Sequence, residues 1–221
     1  MNKNPIPILY EDDYYIIFNK PANLLVIPTA EEEKNTLVNI ANQQYPSVTE
    51  EYKLHPCHRI DRETSGIIIF AKGKKNQAFM MDEFKKRTIK KEYVAFVRGK
   101  LKNKSGEIKR PIINYKKKFR NKHVAEPALT RYIVMSIQKL YSVVRVFPIT
   151  GRTNQIRIHF SELGHPLVGD RKYSFGKDFT VKFRRAALHA SKITFTHPVT
   201  RKNISVTCEI PEDMRVFLNH E

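Results

Sequence analysis

The chain has 221 residues, and its 40 lysines and arginines against 22 aspartates and glutamates give a formal net charge of +18. This length is ample for a folded core, and the positive charge predicts a polyanionic partner, either RNA or DNA. Two cysteines are too few for a disulfide framework, and no apolar run reaches the roughly 20 residues of a membrane helix, so we expect a cytoplasmic protein without a membrane partner.

The charge is unevenly distributed along the chain. Residues 1–50 carry three basic and seven acidic side chains, whereas residues 51–221 carry 37 and 15. The surface that binds a nucleic acid should therefore come from the later part of the chain. An ordinary charged surface, which is the alternative, would mix both signs.

Strand-like runs rich in β-branched and aromatic residues alternate with a few helical patterns. In chain order, the patterns predict strands over 15–18 and 24–27, a helix over 36–44, a strand over 67–71, a helix over 76–86, strands over 93–97, 130–135 and 141–147, a helix over 154–163, and strands over 192–195 and 204–208. Gly164 is the expected stop of the third helix. Together these elements predict an α+β fold, a single domain with a central mixed, mostly antiparallel sheet flanked by helices and loops.

The most informative stretch is His58–Gly66, with the sequence HRIDRETSG, just before the apolar run Ile67–Ala71. It places Asp61 between Arg59 and Arg62, and flanking cations favour the charged form of a carboxylate. Asp61 is therefore a candidate nucleophile or electrostatic catalyst. A salt-bridge cluster on a surface turn is the alternative, but the full string followed by a hydrophobic strand favours the functional interpretation.

A second motif, TGRTNQIRIH, covers Thr150–His159 and combines a Gly-containing turn with the start of a helix. Thr150 or Thr153 is the predicted cap of that helix, and a helix N-terminus attracts anions. Arg157 lies beside the apolar stripe and is expected at the edge of a cleft. The alternative is an ordinary capped amphipathic helix with a solvated arginine.

A third motif, KEYVAFVRG, covers Lys91–Gly99. Strand alternation places Tyr93, Ala95 and Val97 on one face. Taken alone, Tyr93 would be a core aromatic residue with its hydroxyl at the rim.

Lys109–Lys122, KRPIINYKKKFRNK, is strongly basic and has no clear periodicity. We interpret it as a basic loop or hairpin that can become ordered on RNA. Lys116, Lys117 and Lys118 are its predicted RNA contacts.

A metal site is not expected in this chain. His55, Cys57 and His58 superficially suggest ligands, but no second Cys/His pair follows at zinc-finger spacing. A Cys57–His58 nucleophilic dyad is not expected either, because adjacent residues on an extended chain point apart.

Together these segments resemble the RluA-type family of RNA pseudouridine synthases, over nearly the whole chain. The resemblance implies the pseudouridine synthase fold, with 1–221 as one catalytic domain that lacks the N-terminal RNA-binding module of some relatives. It further implies a monomeric enzyme that isomerises uridines in an rRNA or tRNA stem-loop without cofactor or metal. The segments that carry it are Tyr10–Asp13 with Asn19–Pro21, HRIDRETSGIIIFAK at 58–72, KEYVAFVRG at 91–99, TGRTNQIRIH at 150–159 with 164–170, and 188–190 with 195–198.

The resemblance also implies roles for individual residues. By position, Asp61 resembles the essential catalytic aspartate of the family. Tyr93 resembles the tyrosine that stacks on the target base and removes the C5 proton, and Arg157 resembles the arginine that pairs with the aspartate. Whether Asp61 attacks C1′, attacks the base or acts through a glycal stays open.

RNA binding and base flipping are assigned in the same way. Arg59 resembles the arginine that enters the helical stack and displaces the flipped uridine, and Arg62 and Arg152 are further predicted RNA contacts. The chain departs from the family pattern at Asn154, where histidine is frequent, and at Ala22-Asn23, which replaces a Gly-containing turn. Either departure bears on the choice of RNA.

Two other functions compete with this interpretation. A non-catalytic RNA-binding or ribosome-assembly protein could use the same scaffold, although Asp61, Tyr93 and Arg157 together argue against it. Another aspartate-dependent glycosidic enzyme would need a paired carboxylate. Glu63 is the nearest carboxylate to Asp61, but no second motif marks it as a partner.

Overall fold

A computed structural model describes residues 5–45, 49, 52–119, 122–174 and 181–219. Its contacts divide the chain into a first unit, Met1–Lys90 with His189–Pro211, and a second unit, Lys91–Leu188 with Glu212–Glu221. The strands are β1 Ile8–Glu11, β2 Tyr15–Lys20, β3 Leu54–Pro56, β4 Ser65–Lys72, β5 Lys90–Arg98, β6 Ser105–Lys109, β7 Ile112–Phe119, β8 Lys122–Glu126, β9 Leu129–Ile137, β10 Tyr141–Pro148, β11 Leu188–Thr196 and β12 Asn203–Thr207. The helices are α1 Leu37–Gln44, α2 Lys74–Lys86, α3 Gln155–Glu162 and α4 Glu212–Asn219.

The first unit is organised around β4. Its order is β1-β2-β4-β11, with β3 also paired to β4 and β12 to β11. β11 is parallel to β4, whereas the ladders β1–β2, β2–β4, β3–β4 and β11–β12 are antiparallel. β4 is apolar along nearly its whole length and buried on both faces, as expected for a central strand. The mixed, mostly antiparallel sheet of an α+β fold is confirmed.

The second unit contains the antiparallel order β5-β10-β9-β6 and a separate β7–β8 hairpin. Ala95 and Val97 of β5 pack with Val146 of β10 and with Ile156 and Phe160 of α3 in one apolar cluster. This cluster fixes α3, and with it the TGRTNQIRIH motif, against the sheet. The hairpin confirms one of the two predicted forms of Lys109–Lys122.

The predicted strand over 24–27 is wrong. Leu25 forms only an isolated bridge with Thr36, and its carbonyl accepts the backbone N–H of Leu37 at 2.8 Å. The carbonyl of Val26 accepts the N–H of Val38 at 3.0 Å. The segment thus satisfies the free N–H groups at the start of α1 instead of pairing along a strand.

Several short elements were not predicted from the sequence, namely β1, β3, β6 and α4. β6 contains a glycine and two charged residues, and β3 ends in proline, so neither shows a strand pattern. Gly164 has φ +84° directly after α3, which confirms the predicted helix stop. Within the described ranges, no helix has the length and apolar character needed to cross a bilayer.

Candidate active site

The predicted catalytic carboxylate lies in a turn between β3 and β4. The backbone N–H of Thr64 donates to the Asp61 carbonyl at 3.1 Å, which closes a turn over Asp61–Thr64. Ile60 and Thr64 are buried on either side of it, and Asp61 itself is half-buried. Two buried neighbours therefore anchor a turn that presents its carboxylate at a partly accessible position.

Arg59 and Arg62, which flank Asp61, are both exposed. The Nε of Arg62 donates to the Asn23 carbonyl at 3.4 Å. Asn23 has φ +64°, a left-handed conformation that asparagine tolerates better than most residues. Asparagine can therefore occupy the position at which the resemblance leads one to expect a glycine.

Lys20 ties this turn to the chain that follows β2. Its side chain is fully buried, and Nζ donates to the carbonyls of Leu24 at 2.8 Å, Pro21 at 2.9 Å and Arg62 at 3.1 Å. Three acceptors satisfy the three donors of an ammonium group. This role of Lys20 could not be predicted from the sequence, because its three acceptors are backbone oxygens.

The end of the catalytic string docks on β11. Ser65 Oγ lies 2.9 Å from Nδ1 of the fully buried His189, and His189 Nε2 faces the Cys208 carbonyl at 3.3 Å. A carbonyl is an acceptor, so Nε2 carries the proton and the Ser65 hydroxyl donates to Nδ1. Gly66 has φ +106°, and a methyl group there would lie 2.2 Å from the Ala190 carbonyl oxygen. Only glycine fits this position.

In the second unit, Tyr93 lies on β5 where the sequence places it. It is half-buried and packs against the apolar cluster that contains Ala95 and Val97. Val146 of β10 pairs with it across the ladder. The strand therefore holds the ring at the edge of the core, with a part of it accessible.

Arg157 forms a buried two-point ion pair with Asp170. The Nε–Oδ2 distance is 2.6 Å and the Nη2–Oδ1 distance is 2.8 Å, and both side chains are buried. Asp170 Oδ1 also accepts the backbone N–H groups of Lys172 and Tyr173 at 3.0 and 3.1 Å. The Tyr173 ring covers the guanidinium at 5.2 Å from its centroid. The orientation of Arg157 is therefore fixed by charge, hydrogen bonds and ring contact.

The start of α3 differs from the prediction. Its N-cap is Asn154, with φ +55° and no side-chain capping bond, so the predicted cap at Thr150 or Thr153 is wrong. The Thr150 hydroxyl instead donates to Gln155 Oε1 at 2.6 Å and accepts the Leu129 N–H at 3.0 Å. Thr150 thus uses its hydrogen bonds to hold the turn against β9.

Asn154, the departure from the family pattern, contacts a neighbour of the ion pair. Its Nδ2 donates to the Tyr173 hydroxyl at 2.9 Å. Arg152 is half-buried, with Nε donating to the Pro127 carbonyl at 3.3 Å and Nη1 lying 3.5 Å from Glu126. The turn before α3 is therefore well supported within the second unit.

The three lysines predicted to contact RNA and the histidine and cysteine residues considered for a metal site lie on or near strands. Lys116, Lys117 and Lys118 lie on β7, and their side chains fall outside the described part of the structure. His58 Nε2 accepts the Ile69 N–H at 3.0 Å, and Cys57 is buried. Among the described residues, no cluster of three or more His, Cys, Asp or Glu side chains is arranged to hold a metal ion.

The structure thus brings Arg157 together with Asp170 and Tyr173 in the second unit. In the first unit, Lys20 holds the carbonyl of Arg62, next to Asp61, and His189 holds Ser65 at the end of the same string. The implied pairing of Asp61 with Arg157 stays a prediction. Asp170 ends the motif segment 164–170, but its role as the partner of Arg157 was not predicted from the sequence. An aspartate directly after the loop that leaves α3 was the available signal.

Comparisons with known proteins identify the family of the chain. The family model described as RNA pseudouridylate synthase matches residues 14–162. The "Uncharacterized RNA pseudouridine synthase YhcT" of Bacillus subtilis is 36% identical over 215 residues, covering 95% of this chain and 70% of the relative. The "Ribosomal large subunit pseudouridine synthase D" of Haemophilus influenzae is 33% identical over 229 residues, covering 97% and 70%.

Solved structures show the same fold. Human RNA pseudouridylate synthase domain containing 4 matches with a TM-score of 0.78 at 24% identity, covering 96% of this chain and 91% of that one. Human RNA pseudouridylate synthase domain containing 1 matches with a TM-score of 0.74 at 25% identity, covering 92% and 83%.

Proposed function

The chain belongs to the RNA pseudouridylate synthase family of enzymes, and we propose that it converts uridines of ribosomal RNA to pseudouridine with Asp61 as its catalytic carboxylate. The observation that carries the proposal is the turn at Asp61. A half-buried carboxylate sits between two exposed arginines, on a turn whose ends are fixed by Lys20 and by β11. The ribosomal substrate is supported by the large-subunit synthases among the relatives.

The proposed reaction breaks the N1–C1′ bond of uridine and forms a C5–C1′ bond. The proton on C5 leaves and N1 gains one, so the net change is an isomerisation. It requires neither an electron carrier nor a phosphate donor, and we propose that it proceeds without a cofactor. Asp61 acts on the glycosidic bond as the covalent or electrostatic partner. In this proposal, Tyr93 stacks on the uracil ring and takes the C5 proton.

In this proposal, the exposed arginines displace the target base from its stack and contact the RNA backbone. A uridine must leave its stack before reaction, which costs a few kcal/mol. Arg59, exposed beside Asp61, fills the space of the displaced base, and Arg62 contacts phosphates. Loops and bulges are the favoured targets because their bases are already partly unstacked. We further propose a monomeric enzyme that works in the cytoplasm, where ribosomal RNA is accessible to it.

Pseudouridine mapping by carbodiimide labelling tests the proposal. Ribosomal and transfer RNA from cells with and without the gene are compared, and we expect a site in ribosomal RNA to lose its label. A site that disappears from transfer RNA alone would overturn the ribosomal assignment. An unchanged map would favour a non-catalytic RNA-binding protein.

Complementation then tests the residue roles. Asp61→Asn should bind RNA but restore no pseudouridine, and Tyr93→Phe should do the same. Glu63→Gln, two residues from Asp61, is the matched control and should restore the label. Full activity of purified Asp61→Asn would remove Asp61 from the mechanism.

A further inference from the structure

Lys91 occupies an unusual position for a lysine, on the core face of β5. Alternate residues of a strand share a face, so Lys91 lies in line with Tyr93, Ala95 and Val97. Ala95 and Val97 are fully buried in the apolar cluster beneath α3. Lys91 is itself half-buried, whereas the adjacent Lys90 is exposed.

The ammonium group of Lys91 reaches the turn that precedes α3. A methyl group built on Gly151 would lie 3.5 Å from Lys91 Nζ. Gly151 is exposed, so the lysine head group emerges from the core beside an accessible backbone. The absence of a side chain at Gly151 leaves this approach open.

This ammonium has no protein acceptor in the described part of the chain: Lys91 makes neither a hydrogen bond nor an ion pair there. The adjacent Glu92 lies on the opposite face of β5, with Oε2 3.9 Å from Arg145 Nε. Arg152, in the same turn as Gly151, is held by Glu126 and the Pro127 carbonyl. Burial lowers the pKa of Lys91, and among the described residues no acceptor offsets the cost of removing its charge from water.

We propose that Lys91, at the Gly151 turn, binds a phosphate group of the RNA substrate. The proposal rests on the proposed function for the identity of the polyanion. A phosphate oxygen would give the ammonium the acceptor that the described side chains and backbone do not provide. Tyr93 lies on the same face about 7 Å away, two residues along an extended strand. The bound phosphate therefore belongs to the target nucleotide or to its neighbour.

The test measures binding of a single-stranded oligouridine 12-mer at several salt concentrations. For single strands, each phosphate contact contributes about 0.7 to the slope of log affinity against log salt. Lys91→Met should weaken binding about fivefold to tenfold near 0.1 M salt and reduce the slope by about 0.7. Lys91→Arg, which keeps the charge, should stay within about twofold of the parent chain.

Lys90→Met is the matched control, since it removes the same charge from the neighbouring exposed position. It should change the affinity less than about twofold. If Lys90→Met and Lys91→Met lost the same RNA affinity, the effect would come from net charge alone, and the proposal would be overturned. An unchanged salt slope in Lys91→Met would overturn it as well.

Thermal unfolding separates binding from a structural role. Removing an unpaired, half-buried charge should leave the Tm of Lys91→Met unchanged or higher. A large fall in Tm would show that the ammonium supports the fold and would contradict the proposal. Because the readout is binding and not turnover, a failure of the ribosomal mapping experiment would leave this result intact.

Discussion

Arg157 and Asp170 face each other through two parallel hydrogen bonds, of 2.6 and 2.8 Å, with both side chains buried. Asp170 also accepts two backbone N–H groups, so its carboxylate is fully engaged on the protein side. A guanidinium held in this way keeps one orientation, and its charge is matched inside the second unit. Asp170 is therefore a positioning residue for Arg157.

Replacing Asp170 tests that role. Asp170→Asn removes the carboxylate of a buried two-point ion pair, which should lower the free energy of unfolding by about 3 to 5 kcal/mol. Urea unfolding measures this loss of stability. Pseudouridine formation, measured at urea concentrations below the unfolding transition, should also fall, because Arg157 no longer keeps its orientation. Activity unchanged in folded Asp170→Asn would show that Arg157 needs no such support.

Asp213 provides the control for this experiment. It forms a two-point pair with the buried Arg185, at 2.7 and 3.0 Å, but its carboxylate is exposed and it lies on α4, outside the motif segments of the sequence. Asp213→Asn should therefore destabilise the chain while the folded fraction keeps its activity. This contrast separates a general loss of stability from the specific loss of Arg157 positioning.

Lys20 makes a second prediction possible. Lys20→Met removes the donor to three carbonyls and should cost about 2 to 4 kcal/mol of stability, because buried acceptors are left unsatisfied. The turn that carries Asp61 is one of the groups released, so kcat should fall more than RNA affinity. Lys75→Met, on the exposed surface of α2, should change neither the stability nor kcat. A kcat equal to that of the parent chain would contradict the role of Lys20 at the turn.

Two glycines with positive φ should respond very differently to alanine. Gly66→Ala brings a methyl group to within 2.2 Å of a backbone oxygen at φ +106°, and should cost at least about 3 kcal/mol. Gly164→Ala has a similar φ of +84° but nothing within 4 Å, so it should cost only about 1 kcal/mol. Chemical denaturation of both variants checks the ranking, and equal losses would refute the steric argument.

His159 should give the chain a pH-dependent stability. Burial lowers its pKa from the ordinary value of 6.5, and its ring nitrogens face Thr130 Oγ1 at 2.9 Å and the Arg110 carbonyl at 3.0 Å. The unfolded chain therefore binds this proton first, and stability falls as the pH drops below about 6.5. Unfolding of His159→Gln between pH 5 and 7.5 should show a shallower slope. Parallel curves for the two proteins would exclude His159 as the source.

The elements that sequence analysis predicted well are those whose pattern reflects their own burial. β4 is an unbroken apolar run and therefore sits in the middle of a sheet, and Tyr93 follows the alternation of β5. The segment over 24–27 is an element that such a pattern predicts wrongly. Its residues have strand propensity, but its carbonyls accept backbone N–H groups at the start of α1. Residues outside the segment therefore determine its conformation.

The same limit applies to the site. The string around Asp61 could be recognised because its residues are contiguous. Its supports could not, since Lys20 donates to a carbonyl 42 positions away and Ser65 bonds His189 across 124 positions. Asp170 was visible as a letter in a motif, but its pairing with Arg157 depends on how the chain returns after α3.

The parallel ladder between β4 and β11 has a consequence for how the protein folds during its synthesis. β4 ends at Lys72 and its partner begins at Leu188, so most of the chain must be synthesised in between. At about 5 to 20 residues per second, the nascent first unit waits roughly 6 to 23 s on the ribosome with one edge of its central strand uncovered. His189, which bonds Ser65, is synthesised 124 positions after it, and Ala190 follows His189. The contacts that hold Ser65 and Gly66, directly after the Asp61 turn, therefore form only late in translation.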